Sequence, residues 1–397
     1  MVRKVFILIC ITLINPLSTN AQTFPEEGLF SDDYRLSPDM TSTLRLSIEN
    51  LSFFENMEAD GVFFKGYSLP GLKLLPRLIY QPFEKVSVEA GLSLLRYWGI
   101  DKYPNFAYRN IPEWKADHYQ LGFHLLPFFR AQIRPFDALN IVFGNIYGGG
   151  NHRLPDFMYN RELNLTADPE QGFQILLDTR FLHLDTWINW ETFIFNNSPH
   201  DEVFTLGTSA TLNLNSPESS FHTAIPLNIA ATHHGGEIDV VHGTVETIIN
   251  AATGLNMAYN ANFKRLRNVN LDLLYTVFST DANEGKYPFK QGYGFYSKLS
   301  ADITNTTFKL AYWQSKNYIN NFGLPVFGNI STVSDGVYFP DNKVINIGVD
   351  YECQLGKSYN FGFSAEFFYL PDNTNKSAST WYAGAYLRIN PSIMLKN

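Results

Sequence analysis

Apolar and polar residues alternate with a period of two along most of the chain after residue 40. In one clear segment, Ile345, Ile347, Val349, Tyr351 and Cys353 alternate with Asn346, Gly348, Asp350 and Glu352. Segments of this kind, about ten residues long, are typical of strands that cross a membrane as part of a β-barrel. About sixteen of them lie near residues 41–53, 69–81, 84–97, 117–133, 136–146, 171–179, 184–195, 202–214, 222–234, 243–260, 266–278, 290–303, 305–316, 342–354, 357–369 and 379–390. The stretch 222–260 is the least regular, so fourteen or eighteen strands also fit the pattern.

The connections between these segments alternate in length. Tight turns are expected near residues 81–84, 134–137, 303–305 and 355–358, and long connections near 98–116, 147–170, 279–289 and 315–341. Transmembrane barrels have short periplasmic turns and longer external loops, so the alternation places both termini in the periplasm. The short connection 195–202 breaks the rule. A soluble exported β-sandwich is the alternative, but that fold does not require such an alternation.

The last strand, residues 381–390, resembles the C-terminal signal by which outer-membrane barrels are inserted. Tyr382, Gly384, Leu387 and Ile389 stand at the positions of that signal. The chain departs from the commonest form because it continues to Asn397 instead of ending on an aromatic residue. The resemblance implies the barrel-assembly machinery as a partner and outer-membrane lipid as the surroundings.

The N-terminus has the pattern of a cleaved export signal. Arg3 and Lys4 precede an apolar run at residues 5–14, and Ala21 ends a small-residue cleavage motif. Four regions follow: a signal peptide at 1–21, a periplasmic tail at 22–40, a barrel at 41–390 and an extension at 391–397. The expected localisation is the cell outer membrane of a Gram-negative bacterium, and the mature chain keeps a single cysteine, Cys353.

Composition narrows the class of protein further. The chain is 45% hydrophobic and 15% aromatic, yet after the signal it has no run approaching the roughly 18 apolar residues of a membrane helix. Its net charge is −8 and it contains no basic cluster, which argues against binding to nucleic acid. Aromatic residues near strand ends, among them Tyr97, Trp98, Trp187, Trp190, Trp313, Trp381 and Tyr382, fit the girdles of membrane barrels, although core packing explains any single one equally well.

Strand parity predicts which charged residues face the lumen. They are Arg45, Glu49, Lys73, Arg77, Glu89, Glu191, Asp272, Lys298, Lys309, Asp350, Glu352, Glu366 and Arg388. Charged groups on one face indicate a hydrated interior, because Arg or Lys facing lipid near the midplane costs about 2–4 kcal/mol. The mild acidic excess predicts at most a weak cation preference. A plugged barrel packed with internal salt bridges would use the same residues.

The long connection 147–170 is the main candidate for a functional loop. It contains three consecutive glycines and the charged residues His152, Arg153, Asp156, Arg161 and Glu162. Loops of this length without secondary structure are usually functional or disordered. We expect a constriction loop folded into the lumen, with an ordinary surface loop as the alternative.

Other chemistry is weakly supported. His233, His234, Glu237 and Asp239 contain metal-binding residue types, but their spacing matches no helical ligand pair, so we expect no metal and no other cofactor. The chain has neither G-x-S-x-G nor H-E-x-x-H. His222 lies near Ser219 and Ser220 only in sequence. We therefore expect the protein not to be an enzyme.

Three short motifs resemble uncharacterised porin-like outer-membrane β-barrel proteins of Gram-negative bacteria. They are residues 169–174 (PEQGFQ), 187–194 (WINWETFI) and 234–239 (HGGEID). The resemblance implies an outer-membrane location and a passive channel, and no known substrate.

With about sixteen strands, the leading expectation is passive diffusion of small polar solutes. The first alternative is a loop-occluded barrel that acts as a surface receptor, adhesin or subunit of an outer-membrane complex. A transporter of hydrophobic substrates would need an apolar lumen and a structured N-terminal hatch, and the sequence indicates neither. The pattern leaves open whether the barrel forms a homo-oligomer.

Overall fold

The protein was analysed as a computed structural model. It describes residue 30 and residues 32–60, 65–98, 124–193, 201–235, 245–261, 263–283, 286–332, 336–371 and 379–396. The expected signal peptide therefore lies outside the described residues. The strands are β1 (Leu44–Asp60), β2 (Lys65–Phe83), β3 (Val86–Tyr97), β4 (His124–Phe136), β5 (Leu139–Asn145), β6 (Gln171–Asp178), β7 (Leu182–Thr192), β8 (Val203–Asn213), β9 (Phe221–His234), β10 (Glu246–Asn260), β11 (Leu266–Thr280), β12 (Gln291–Ile303), β13 (Thr306–Lys316), β14 (Asp341–Gly356), β15 (Tyr359–Tyr369), β16 (Ser379–Ile389) and β17 (Ser392–Lys396).

Each of the strands β1 to β15 pairs antiparallel with the next along the chain, and β1 pairs with β16 to close the sheet. The closing register places Phe53 opposite Tyr386 and Glu55 opposite Gly384. Strand β17 follows β16 after Pro391 and pairs with the first residues of β1. Strands β16 and β17 therefore occupy one strand position of the barrel, interrupted at Pro391. The expected antiparallel barrel of about sixteen strands is confirmed.

The alternation of the sequence becomes the two faces of this wall. Outward positions carry large apolar side chains such as Leu299, Leu310 and Ile347, all of them exposed on the isolated chain. Inward positions carry polar or aromatic side chains that are buried. A closed sheet satisfies its backbone hydrogen bonds internally, so such an apolar exterior can face lipid. No described helix is long and apolar enough to cross a membrane.

The short turns lie at one end of the barrel and the long connections at the other. Residues 84–85, 137–138, 304–305 and 357–358 form tight turns at the end that the sequence pattern assigns to the periplasm, here called the periplasmic end. The first two strands are longer than the sequence predicted, reaching Asp60 and starting at Lys65. At the external end, the two strands stay paired past the segments in which apolar and polar residues alternate, and the last pair is Asp60 with Lys65.

The described part of the N-terminal segment lies within the periplasmic mouth, whereas the sequence predicted a periplasmic tail. The backbone N–H of Asp32 donates to Asn151 at 2.7 Å, and the Asp32 carboxylate pairs with Arg388. Gln132 donates to the carbonyl of Tyr34 at 2.7 Å. Inward polar groups at strand ends therefore bind this segment, here called the N-terminal strap (residues 32–43). Such partners come from distant strands, so no local pattern reveals them.

The residues after 390 also depart from the expected extension. Pro391 interrupts the ladder because it has no N–H to donate, but its carbonyl accepts from Ile48 at 3.1 Å. Residues 392–396 then resume pairing with β1. The paired wall therefore extends to residue 396.

Several aromatic residues expected in the membrane girdles face the lumen instead. Tyr97, Trp187, Trp313 and Tyr382 are at most 5% exposed and belong to interior clusters. Outward parity and exposure do fit Trp381. An aromatic residue near a strand end suits either face, so its type alone could not decide.

A charge on the outward face near the middle of β14 tests the membrane position of the wall. Replacing Ile347 with Arg should destabilise the barrel in lipid by about 2–4 kcal/mol, because the guanidinium would face hydrocarbon. Urea unfolding of the mature protein in vesicles measures the change, with Ile347→Leu as the control. Equal stability of the Arg and Leu variants would show that this face does not meet lipid.

Candidate functional site

The connection between β5 and β6 folds into the barrel. Within residues 146–170, here called the first lumen loop, Phe157, Met158 and Leu163 are at most 1% exposed. A short 3-10 turn at Gly149–His152 and a single helical turn at Leu163–Thr166 shape it. Gly149 has φ of +62°, a left-handed conformation that favours glycine. The glycine run thus turns the chain inward at the start of the loop.

His152 anchors this loop to the wall through Asp185 of β7, and Glu170, at the end of the loop itself, contacts the other ring nitrogen. Its Nδ1 lies 2.7 Å from Asp185, and its Nε2 lies 3.0 Å from Glu170. The imidazole also stacks on the indole of Trp187, with ring centroids 3.5 Å apart and planes 9° apart. Gly207 makes room for that indole, since a Cβ there would lie 2.1 Å from the ring. The side chain is 2% exposed, so the loop is held by a buried charged contact.

Electrostatics favour the protonated form of this histidine. Burial lowers the pKa of His152, but Glu170 and Asp185 outweigh burial and raise the pKa to about 9. In return, although burial raises the pKa of Glu170, the charge of His152 outweighs it and leaves that pKa below its usual value. The contact of His152 with Asp185 and Glu170, here called the His152 clamp, is therefore ionic at neutral pH, with a positive charge between two carboxylates.

Arg161 holds the middle of the first lumen loop against the opposite wall. Its guanidinium lies 3.2 Å from Asp350 and 3.3 Å from Glu366. Lys309 pairs with the same two carboxylates, at 2.8 Å from Asp350. Asn346 donates to Glu366 at 3.0 Å. Strands β13, β14 and β15 thus present a compact network of charge to the loop.

Two further contacts fix the end of the loop. The Lys73 ammonium donates to the carbonyls of Asn164 and Ala167 at 3.0 and 2.9 Å. Tyr67 donates to Glu162, whose pKa is raised to about 8 by burial and by the nearby Glu55 carboxylate. Glu162 is therefore largely protonated at neutral pH, which reduces the cost of burying it.

A second charge network lies toward the periplasmic end. Arg388 is 2.7 Å from Glu49, and Arg77 is 3.4 Å from Glu49 and 3.2 Å from Glu89. Arg130 lies 3.6 Å from Glu89 and sits over the Tyr147 ring at 3.8 Å. Opposite charges alternate around the wall, so every ion here has a nearby partner.

A second long connection also enters the lumen, which the sequence pattern did not indicate. Residues 317–332 and 336–340, here called the second lumen loop, contain Tyr318, Ile319 and Asn329 at 0% exposure. Asn250 donates to the carbonyl of Ile319 at 2.7 Å, and Asn342 donates to that of Val326 at 2.8 Å. The asparagines at 317, 320, 321 and 329 were the available signal, since short amides bind irregular backbone well.

The two lumen loops meet in an aromatic core within the barrel. Phe157 packs on Trp313 with centroids 5.0 Å apart and on Tyr296 at 5.2 Å. Phe327 lies 5.6 Å from Trp313. The loops also bond to each other, with the Asn160 N–H donating to the carbonyl of Phe322 at 2.6 Å. The lumen thus contains an aromatic cluster beside its charged groups, and residues 32–43 are ordered, two features that the sequence did not indicate.

A small cavity lies between the first lumen loop and the wall formed by β1, β15 and β16. Its volume is about 10 Å³, and its lining is Glu55, Met57, Asp156, Tyr159, Asn160, Arg161, Leu324, Glu366 and Tyr382. The Tyr386 hydroxyl donates to Glu55 at 3.1 Å, and Tyr296 donates to Asp156 at 3.2 Å. The cavity thus combines carboxylates with aromatic walls.

The remaining expected lumen residues lie elsewhere on the inner face or at its mouth. Lys298 pairs with Asp272 at 3.5 Å, and Thr205 donates to Glu191 at 2.7 Å. Arg45 lies on the inward parity of β1 near its start. Glu352, near the periplasmic turn, and Arg153, on the first lumen loop, are exposed. The signal residues Tyr382 and Gly384 face inward, while Leu387 and Ile389 face outward.

The two described members of the weak metal cluster point to opposite faces of β9. His234 faces the lumen and His233 faces outward, whereas Glu237 and Asp239 lie outside the described residues. Among the described side chains no group of three or more ligands has metal-binding geometry.

His233 instead lies on the outer surface, at the external end of the barrel, beside Phe204 and Thr247. These three residues are here called the outward row. The Nδ1 of His233 lies 3.2 Å from the Thr247 hydroxyl, and its ring lies 5.0 Å from that of Phe204. The backbone N–H of Thr247 donates to the Asp281 carboxylate at 2.5 Å. The sequence alone did not reveal the contact between His233 and Thr247, because the two residues lie on neighbouring strands.

A closed antiparallel wall with an apolar exterior and a charged interior defines a porin-like outer-membrane barrel protein. The chain belongs to the family described as Lipid A 3'-O-deacylase-type, which matches residues 36–397. The expectation that the protein is not an enzyme is therefore wrong, because this family is named for an enzyme. No curated protein matches the sequence.

Solved outer-membrane porins are similar to the chain at low identity. OprD from Pseudomonas aeruginosa has 12% identity over 89% of this chain and 95% of that chain, with a TM-score of 0.44. OpdK from the same organism, solved with vanillate, has 10% identity over 89% and 100%, with a TM-score of 0.47. An anion-selective porin from Comamonas acidovorans has 11% identity over 88% and 99%, with a TM-score of 0.45. Such values carry no information about solute or activity.

The His152 clamp should weaken in alkali. The raised pKa means that its stabilisation is complete below the unfolded value of about 6.5 and is lost as pH rises through about 9. Protonated His152 lies on Trp187, so tryptophan fluorescence of the mature protein should change with a midpoint near pH 9. His152→Gln should remove that transition. A transition that persists in the variant would contradict the clamp.

Proposed function

We propose that the barrel forms a channel for small polar solutes, constricted by the two lumen loops. The observation that carries the proposal is a set of charged lumen side chains that remain partly exposed although they face the interior. Arg161, Asp350 and Lys298 keep about a quarter of their side-chain surface, at 27%, 25% and 26%. Water therefore reaches this part of the lumen, as an aqueous passage requires.

The lumen loops set the size of what passes. A wall of about sixteen strands encloses a wide lumen, but the aromatic core of the two loops fills much of its width. The open part lies beside Arg161, Asp350 and Asp272, where both signs of charge are present. Such a lining suits polar solutes and gives a weak preference for cations, since carboxylates are in excess near Arg161.

Conductance of the mature protein in a planar bilayer tests this function. Deletion of residues 152–166 should raise the single-channel conductance, because the first lumen loop narrows the passage. Unchanged conductance after this deletion, in a barrel that still folds, would contradict a constriction by the loop.

Charge selectivity gives a second, milder test. Arg161→Gln should increase the cation preference measured as the reversal potential in a salt gradient, because it removes a positive charge from the passage. Arg180→Gln is the matched control, since Arg180 pairs with Glu218 on an exposed turn. Identical reversal potentials in wild type and Arg161→Gln would place the ion path elsewhere.

A second candidate function is hydrolysis of an acyl ester of lipid A on the outward face. Family membership favours it, and so does the position of the outward row. Lipid A lies in the outer leaflet, so its esters meet the barrel near the external ends of the strands. His233 and Thr247 lie there, beside the aromatic surface of Phe204 and Trp190.

The chemistry of the pair suits ester cleavage. His233 would accept the proton of the Thr247 hydroxyl as its oxygen attacks the ester carbonyl carbon. The sugar hydroxyl would leave with that proton, and water would then release the fatty acid from threonine as a carboxylate. The two functions use opposite faces of the wall, so one does not preclude the other.

Fatty-acid release from purified lipid A, followed by mass spectrometry, tests this second function. His233→Asn should lower the rate by about 10²–10⁴-fold, because it removes the general base. Thr253→Ala is the matched control for Thr247→Ala, since it lies outward on the same strand and bonds the Pro226 carbonyl. Full activity in both His233→Asn and Thr247→Ala would exclude the pair.

We also propose two kinds of protein partner: the barrel-assembly machinery and further copies of this chain. The assembly machinery would recognise β16 through Tyr382, Gly384, Leu387 and Ile389, which occupy one edge of the closing seam with β1. Homo-oligomers would form through the outward face, and native mass spectrometry of the refolded protein measures the number of copies.

A further inference from the structure

We propose that the small cavity beside Tyr382 is a binding site for a compact cation, of the size of a protonated primary amine. The site lies in the lumen, between the first lumen loop and strands β1, β15 and β16. This inference deepens the proposed channel function by naming a class of solute, but binding itself does not require conduction.

The first observation is an unpartnered hydroxyl at the cavity. Tyr382 lines the cavity and is 3% exposed, yet its hydroxyl has no hydrogen-bond partner. Leaving a buried polar group unpaired costs about 1–3 kcal/mol. Its phenolic oxygen is an acceptor that a bound N–H group would satisfy.

The second observation is the sign of the surrounding charge. Three carboxylates line the cavity, on Glu55, Asp156 and Glu366, against one cation, Arg161. Arg161 and Lys309 both pair with Asp350 and Glu366, so these four charges balance and the carboxylates of Glu55 and Asp156 remain. The Tyr386 hydroxyl donates to Glu55, and no ion pair of Glu55 occurs among the described residues. The lining therefore has an excess of negative charge, which a cation neutralises and an anion does not.

The volume limits the ligand. About 10 Å³ corresponds to roughly one water-sized sphere. An ammonium group fits that space, whereas a quaternary ammonium with four methyl groups does not. The ring of Tyr382 already faces one cation, with the Arg161 guanidinium 6.0 Å from its centroid, so the recognition rests on its hydroxyl and on the carboxylates. Because the described side chains form no metal-ligand group, an ammonium fits the site better than a metal ion.

A ligand would reach the cavity from the solvent-exposed side of the first lumen loop. The Arg161 and Asp350 side chains retain 27% and 25% exposure next to the buried carboxylate of Glu366. A solute moving along the passage would thus pass the cavity and could insert its amine end while the rest stays in water.

Titration calorimetry of the mature protein in nanodiscs with methylammonium, at constant ionic strength, tests the site. We expect saturable binding to wild type, about tenfold weaker binding to Tyr382→Phe, and still weaker binding to Glu55→Gln. Tetramethylammonium should not bind. Tyr312→Phe is the control, since its hydroxyl bonds Gln314 on the outward face.

Equal affinity of wild type and Tyr382→Phe would overturn the proposal, and so would the absence of saturable methylammonium binding. Tyr382→Phe decides the matter even if Glu55→Gln fails to fold, because it removes only an unpaired hydroxyl. Conductance separates this inference from the channel function. Binding without conductance retains the site and overturns the channel, whereas conductance without binding retains the channel and overturns the site.

Discussion

The structure depends on one consequence of closing about sixteen strands into a barrel: the wall encloses more space than its own side chains fill. The chain fills that space with its own loops, and loops carry backbone groups that must find partners. Inward side chains supply them, as Lys73 does for two carbonyls and Asn342 for the second lumen loop. The polar interior is therefore a scaffold for the loops as well as the lining of a passage.

Buried charge determines where the first lumen loop sits. An ion pair in a low-dielectric interior is costly unless its geometry is good and its remaining atoms are bonded. His152 between Asp185 and Glu170, and Arg161 between Asp350 and Glu366, meet both conditions. Misplacing the loop would remove His152 from Asp185 and Arg161 from Asp350 and Glu366, so these charges specify one position. The aromatic core around Trp313 then adds apolar burial to a position that the charges have chosen.

The wall could be predicted from sequence because a period of two separates its faces without ambiguity, as Ile347 beside Asn346 illustrates. The interior could be predicted only in part. Parity identified Asp350 and Lys309 as lumen residues, but no local pattern connects His152 with Asp185 and Trp187 of β7. The face of Trp187 and Trp313 stayed open because aromatic rings suit a membrane interface and a buried core alike. The His233–Thr247 contact spans two strands, so a motif search along the chain does not detect it. The expectation of no enzyme activity rested on missing motifs, and the family match overturns it.

Hydrogen exchange of the mature protein in nanodiscs tests the central claim, that both lumen loops are packed inside the barrel. The account predicts that peptides covering residues 157–166 and 318–329 exchange slowly, close to the rate of the barrel strands, because their backbone groups are buried and bonded. Exchange as fast as that of exposed loops would contradict it, since the loops would then lie outside the lumen or move freely within it.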